Sequence, residues 1–380
     1  MGPRFVAGML AVAAALAAAV CALNFWVDPF EHYRKPARFG PRFYNAWQRF
    51  ENPGIARHWD YDRIVTGSSL MECMLPDDVD RALGGTSINL SVSAQTAFDA
   101  GELLRVALAT GKPRQVIMNL DYNAFSGAPD RSGFTDPFPR YLYDDNPWND
   151  VPYLLGLEST RKSLETLAGL HWSRFNTDPR RMWYWGWEHQ FFAAKAVQGL
   201  DPGDLNAKFH QPPRTLEGMK ASFEANLAPL IERHRDVRFT FVYAPYSILV
   251  WSDFQQRGQV DVSLAFRDWL FERTRGDRNV EFFDFQAEPA LVMDLDYYTD
   301  IYHFSPKVSR AIVEAIAQGR YKLTRETLAK NDAWLRRTAA ETDPAALIAE
   351  ARARPSPAIP DGKEFIPPGG YAQADSSAPR

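Results

Sequence analysis

The chain has 380 residues, 46% of them hydrophobic, and 43 basic against 47 acidic side chains give a formal charge of −4. That length can bury a large core, and the near balance of charge gives no sign of a polyanion-binding surface, so nucleic acid is not expected as a partner. Only two cysteines, Cys21 and Cys73, exclude a disulfide scaffold and a cysteine-rich zinc site, and the seven histidines lack ligand spacing, so neither metal nor cofactor is assigned.

Residues 5–27 carry no charge after the single basic Arg4 and end beside Trp26. A run of this length spans a bilayer as a helix, and tryptophan suits its interface. The first reading of residues 1–27 is therefore a membrane anchor, with Arg4 inside and the rest of the chain outside the cytoplasm. The alternative is a cleavable signal peptide, for which Val20-Cys21-Ala22 supplies small residues.

Residues 28–60 read as a connector in which Pro29, Pro36, Pro41 and Pro53 prevent long helices, leaving one short helix over 43–50. The run from Arg63 to Thr66 then stops in Gly67-Ser68-Ser69, the pattern of a buried strand ending at a sheet's carboxyl edge. A short helix follows over 75–85, then a strand over 87–93. A capping box at Thr96 and Asp99 opens a helix that stops at Gly111, and a third strand covers 114–121. This alternation predicts a right-handed parallel sheet.

From about 126 to 213 the alternation is lost in an aromatic-rich insertion whose densest point is Arg181 to His189. Such an insertion either caps a site, with tryptophan faces free for sugars or acyl chains, or packs onto the main body. The pattern resumes with an amphipathic segment over 215–234, a strand over 237–244, a helix containing Leu264 to Phe271, a fifth strand over 280–285 and a helix over 308–318. The expected fold is α/β, three layers around a five-stranded parallel sheet of flavodoxin-like order. Residues 61–320 form its domain, 321–354 a charged helical extension and 355–380 a disordered tail rich in Pro, Gly and Ser.

Two motifs carry chemistry. Ser69 ends the first strand, and Asp300-Ile301-Tyr302-His303 lies after the fifth strand and before a helix. Hydroxyl nucleophile, imidazole base and orienting carboxylate are the parts of a serine acyl-transfer site. On these motifs, residues 60–320 resemble the SGNH (GDSL-like) hydrolases, specifically the membrane-anchored branch similar to alginate O-acetylation and teichoic-acid D-alanylation proteins. In that resemblance Ser69 takes the nucleophile's place, Ser68 the place of the family's Asp, and Asp300 and His303 complete the triad. Ala94 stands where the family has an oxyanion-hole glycine, and Asp121 where it has an asparagine donor.

The resemblance implies an esterase if water resolves the acyl-enzyme and an O-acyltransferase if a sugar hydroxyl does. It implies an acetyl group, an exported or cell-surface polysaccharide substrate, a membrane-bound O-acyltransferase as donor partner, and a periplasmic domain on a single inner-membrane span. Because an ionised Asp121 accepts hydrogen bonds only, it must be protonated or turn away from the oxyanion. The rival reading is a catalytically inactive, membrane-tethered glycan-binding or scaffold component, and a third is a lipid esterase.

Overall fold

The computed structural model describes residues 2–133, 137–170, 174–206 and 212–357. In chain order its elements begin with α1 Pro3–Val27, α2 Gln48–His58, β1 Arg63–Thr66, α3 Ser69–Glu72, α4 Pro76–Leu83, β2 Ser87–Asn89, α5 Ala97–Ala109 and β3 Gln115–Asn119. The insertion holds α6 Val151–Leu154, α7 Leu157–Leu167 and α8 Ala193–Ala196. After it come α9 Leu216–Asn226, α10 Ala228–Arg233, β4 Arg238–Tyr243, α11 Ile248–Gln256, α12 Val260–Arg273 and β5 Val280–Asp284. Then follow α13 Pro289–Val292, α14 Pro306–Ala317, α15 Arg325–Glu341 and α16 Pro344–Ala353. The tail expected to be disordered lies, from residue 358 on, outside the described residues.

The chain divides into two compact units, one made of residues 1–60, 101–112 and 134–183, the other of 61–100, 113–133 and 184–380. The second unit contains the sheet, in the order β2-β1-β3-β4-β5 with every pair parallel. Ile64, Val65, Val116, Ile117 and Val242 are completely buried, which explains why these strands read as apolar runs and not as alternating ones. Reversal of direction at β1 sends right-handed crossovers to opposite faces. Accordingly α4 packs on α14, while α9, α12 and α15 pack together.

Several boundaries differ from expectation for identifiable reasons. β2 is bounded at Asn89, yet the Leu90 and Val92 N–H groups go on donating to Val65 O and Gly67 O at 2.8 and 2.9 Å, so the chain stays beside β1 until it turns at Ser93 and Ala94. The amphipathic segment breaks at Leu227 into α9 and α10, since Pro229 has no N–H to continue the ladder. The Thr96–Asp99 capping box is formed, with reciprocal bonds of 3.0 and 3.2 Å. The C-terminal extension is tied down by the fully buried Arg267, which contacts Asp284 at 2.6 Å and Asp332 of α15 at 2.9 Å.

In the first unit, α1 is long and apolar enough to cross a membrane. Only Asn24 and Val27 of it are buried. Contrary to the expectation of a helix confined to 43–50, α2 runs over 48–58 with Pro53 inside it. The acceptor that Pro53 cannot serve, Arg49 O, takes the hydroxyl of Tyr143 at 2.8 Å instead. A replacement donor from outside the helix removes part of the usual proline penalty.

Candidate active site

All the site residues lie in the sheet unit, beyond the carboxyl ends of β1, β3 and β4. β1 stops at Gly67, whose φ of +144° lies where side chains are disfavoured. A Cβ there would fall 1.9 Å from Asn119 Oδ1. That close approach is used: Ser68 N–H donates to Asn119 Oδ1 at 3.0 Å, and Asn119 Nδ2 lies 3.4 Å from Ser68 Oγ. Ser68 is therefore buried against β3, while Ser69 opens α3 with its hydroxyl turned the other way. Asn89, at the end of β2, donates to Met71 O at 2.7 Å and Met74 O at 3.0 Å, which holds α3 in place.

Ser69 Oγ lies 2.7 Å from His303 Nε2, and His303 Nδ1 lies 2.7 Å from Asp300 Oδ2. An ionised carboxylate only accepts, so Nδ1 carries the imidazole proton and Nε2 is left to accept from the serine hydroxyl. The other oxygen of Asp300 accepts the N–H groups of Tyr302 and His303, both at 2.8 Å. This turn is anchored to the end of β4 by Ser247, whose hydroxyl donates to Ile301 O at 2.7 Å. Ser305 caps the following α14.

Burial opposes charge on both groups, but their mutual attraction outweighs it. His303 is pushed down by desolvation and up by the charge and hydrogen bond of Asp300, with smaller help from Glu72 and Asp121, and ends above its ordinary 6.5. Asp300 is pushed up by burial and down by His303 and the two backbone donors, and ends below its ordinary 3.8. The pair thus stores a preference for imidazolium beside carboxylate, the state a general base passes through.

Ala94 takes a left-handed φ of +53°, the conformation that glycine enters without strain, in an exposed turn after β2. Its neighbour Ser93 donates to Glu72 Oε1 of α3 at 2.8 Å, so the turn is fastened to the helix that carries Ser69. Asp121 sits just beyond β3 and turns its Oδ1 toward two donors, Tyr246 OH at 2.8 Å and Asn123 N–H at 3.0 Å. Both bonds fall on Oδ1 and fix the rotation of the side chain.

Four further residues build the surroundings. Trp185 Nε1–H donates to Ser69 O at 3.1 Å, and its ring meets those of His303 and His189 edge-on, with centroids 5.4 and 5.1 Å apart. Tyr302 receives Asn206 Nδ2 at 2.9 Å and meets the ring of Tyr246 edge-on at 5.4 Å. Arg214 donates to Asn123 Oδ1 at 3.2 Å and lies 3.7 Å over the ring of Phe254. The sequence marks Trp185 only as part of an aromatic run and Tyr302 only as a spacer between Asp300 and His303, while Tyr246 carries just the signal of following a strand end. Arg214 carries no signal in sequence.

Beside Asp300 opens a cavity of about 350 Å³ whose lining includes His189, Lys195, Gln198, Asp204, Asn206 and Tyr302. Among the described residues no group of three or more His, Cys, Asp or Glu side chains is placed to hold a metal ion. Compared with known families and curated proteins, the chain matches no family model and no curated sequence.

Proposed function

We propose that the protein is an SGNH-like serine esterase or O-acyltransferase, acting on acetyl or similar esters of an exported or cell-surface polysaccharide. The unbroken relay from Ser69 through His303 to Asp300, with both contacts at 2.7 Å, carries this reading. His303 removes the Ser69 proton as the serine oxygen attacks the acyl carbonyl, and Asp300 holds the imidazole and balances its charge. The resemblance assigns the oxyanion to the N–H groups of Ser69 and Ala94. Collapse expels the alcohol, which takes its proton from His303. A water or sugar hydroxyl then attacks the acyl-serine, again with His303 as base, and frees Ser69.

A carbohydrate partner is supported by Trp187, which is 56% exposed and pairs with Tyr184 at 5.0 Å. Exposed indoles stack on sugar faces. In this reading α1 anchors the protein in the inner membrane, Arg4 keeps its own end cytoplasmic, and the sheet unit works in the periplasm with a membrane-bound O-acyltransferase as donor partner.

The inactive glycan-binding scaffold is the second reading, favoured by a carboxylate at position 121. Intact-mass analysis after exposure to an activated acetyl ester separates the two. One added acetyl group on the native protein, or catalytic release of the activated alcohol, either one absent from Ser69→Ala, is the expected result; a folded native protein showing neither would leave the scaffold.

A further inference from the structure

Helix α7 is turned inside out. Its polar residues Ser159, Lys162, Ser163, Glu165 and Thr166 are buried, while Leu157, Leu164 and Leu167 are 81%, 51% and 42% exposed. Leu157, Leu164 and Leu167 fall on one face, seven and then three residues apart, where an amphipathic helix of a water-soluble domain would present charges. Just before it, Trp148, Val151 and Leu155 extend the apolar surface, with Trp148 88% exposed. The buried polar face has its own partners: Lys162 lies 4.1 Å over the Tyr44 ring, and Ser163 donates to Asn24 Oδ1 at 2.8 Å.

Asn24 belongs to α1. Its amide also donates to Leu154 O at 2.8 Å and Thr160 Oγ1 at 2.9 Å, so α6 and α7 pack on the C-terminal end of the apolar helix. One turn around that end, Phe25 and Trp26 are exposed, and each carries a guanidinium: Arg34 at 4.5 Å over Phe25 and Arg38 at 5.0 Å over Trp26. Aromatic rings beside arginines mark a water–lipid boundary, where the rings sit at headgroup level and the cations reach phosphates. Arg161, the charged member of the exposed α7 face, pairs with Glu158 and Glu165 at 3.4 Å and has the stem length to reach up to that level.

We propose that the exposed face of α6 and α7 rests in the headgroup–acyl boundary of the membrane that α1 spans, so that this unit is held by an embedded surface as well as by one helix. The occupant is lipid, because the face is continuous with the end of the spanning helix and its aromatic and arginine collar. Such a surface gives the membrane a second attachment and fixes the orientation of the unit, which a single flexible anchor does not. The inference rests on α1 being a membrane span.

The test uses the full chain in lipid nanodiscs, in a Cys21→Ser background; the remaining Cys73 is buried and burial pushes its thiol up, so it does not label. A polarity-sensitive fluorophore is attached at Leu157→Cys or Leu164→Cys, and at Asp261→Cys, whose native side chain is 83% exposed, as reference. The expected result is severalfold stronger quenching by lipids brominated near the carboxyl end of the acyl chain at 157 and 164 than at 261, with matching protection from aqueous iodide. Thermal unfolding in detergent should match the parent, since both leucines are exposed. Iodide access at 157 and 164 equal to that at 261 overturns the proposal, as does a disulfide-linked dimer through either position, which would assign the face to a second copy. Release of the chain by alkaline carbonate would instead remove the premise about α1, a result distinguishable from a wet α7 on an anchored protein.

Discussion

The backbone N–H of Ser68 donates to the side-chain oxygen of Asn119 across the β1–β3 pair, and only a glycine at position 67 leaves room for it. Gly67→Ala combines a methyl group 1.9 Å from that oxygen with a backbone angle that side chains disfavour. Expected are a loss of acyl-ester turnover and a lower Tm. Asn119→Ala should cost about 1–3 kcal/mol, because it strands a buried donor. Urea denaturation of both variants measures the loss; a fully stable Asn119→Ala would mean that the Ser68 N–H finds another acceptor.

The two adjacent serines should behave differently. Ser69→Ala is expected to lose acyl-ester turnover by at least about a thousandfold, the scale seen when a nucleophile is removed. Ser68→Ala should keep most of it, because Ser68 Oγ faces Asn119 and not His303. Labelling with a fluorophosphonate probe reads this directly. Equal labelling of native protein and Ser69→Ala would place the nucleophile elsewhere.

Because the base must be neutral to accept the serine proton, activity should rise with pH through a midpoint above 6.5, the ordinary histidine value. Asp300→Asn removes the charge that raises His303 and leaves burial unopposed, so the midpoint should move down while the maximal rate falls by about 10⁴. Stability carries the same signs. The raised His303 contributes fully below 6.5 and loses its contribution as pH rises through the folded value; the depressed Asp300 contributes above 3.8 and loses it as pH falls through its own. His303→Ala should therefore destabilise more at about pH 5.5 than at about pH 8.5. The reverse order in denaturation curves would contradict the pairing.

The proline-containing helix offers a test away from the site. Tyr143→Phe removes the hydroxyl that serves Arg49 O in place of Pro53. A loss of about 1–3 kcal/mol is expected, since the carbonyl then has no donor from its own helix. Replacing Pro53 by Ala in the same background should recover stability by restoring the helix bond, and non-additivity in this double-mutant cycle is the measurement. Independent effects would separate the two residues.

Much of the sheet and the relay was legible because each depended on a local signal: an apolar run ending in Gly67, and Asp300 placed three residues before His303 after another run. Such signals state where a strand stops, and stopping points of parallel strands converge at one edge. What could not be read depends on partners distant in sequence. Pro53 breaks a helix unless Tyr143 arrives from ninety residues on, and Arg214 reaches the site through Asn123. Leu157 and Leu164 have the spacing of a buried face, yet the structure exposes them, because periodicity shows that a face is apolar and not which solvent it meets.

Asp121 bears on both rate and pH. Its Oδ1 accepts from Tyr246 and Asn123, and its charge is one of the influences that raise His303. Asp121→Asn can keep Oδ1 on both donors, since an amide oxygen accepts as a carboxylate oxygen does, and it places an NH₂ where the second carboxylate oxygen stood. Two effects should follow. Loss of the negative charge lowers the His303 midpoint, so the rising limb of the pH profile shifts to lower pH. Gain of a donor and loss of a repelling charge favour the developing oxyanion, and since one good donor is worth on the order of 100-fold to 1000-fold, turnover at neutral pH should rise visibly. Profiles of both proteins with an activated acetyl ester decide it. A folded Asp121→Asn with a lowered midpoint but no gain in turnover would keep the electrostatic coupling and remove Asp121 from the oxyanion region; a folded variant with no activity would show that the carboxylate itself handles substrate, for example by orienting a sugar hydroxyl.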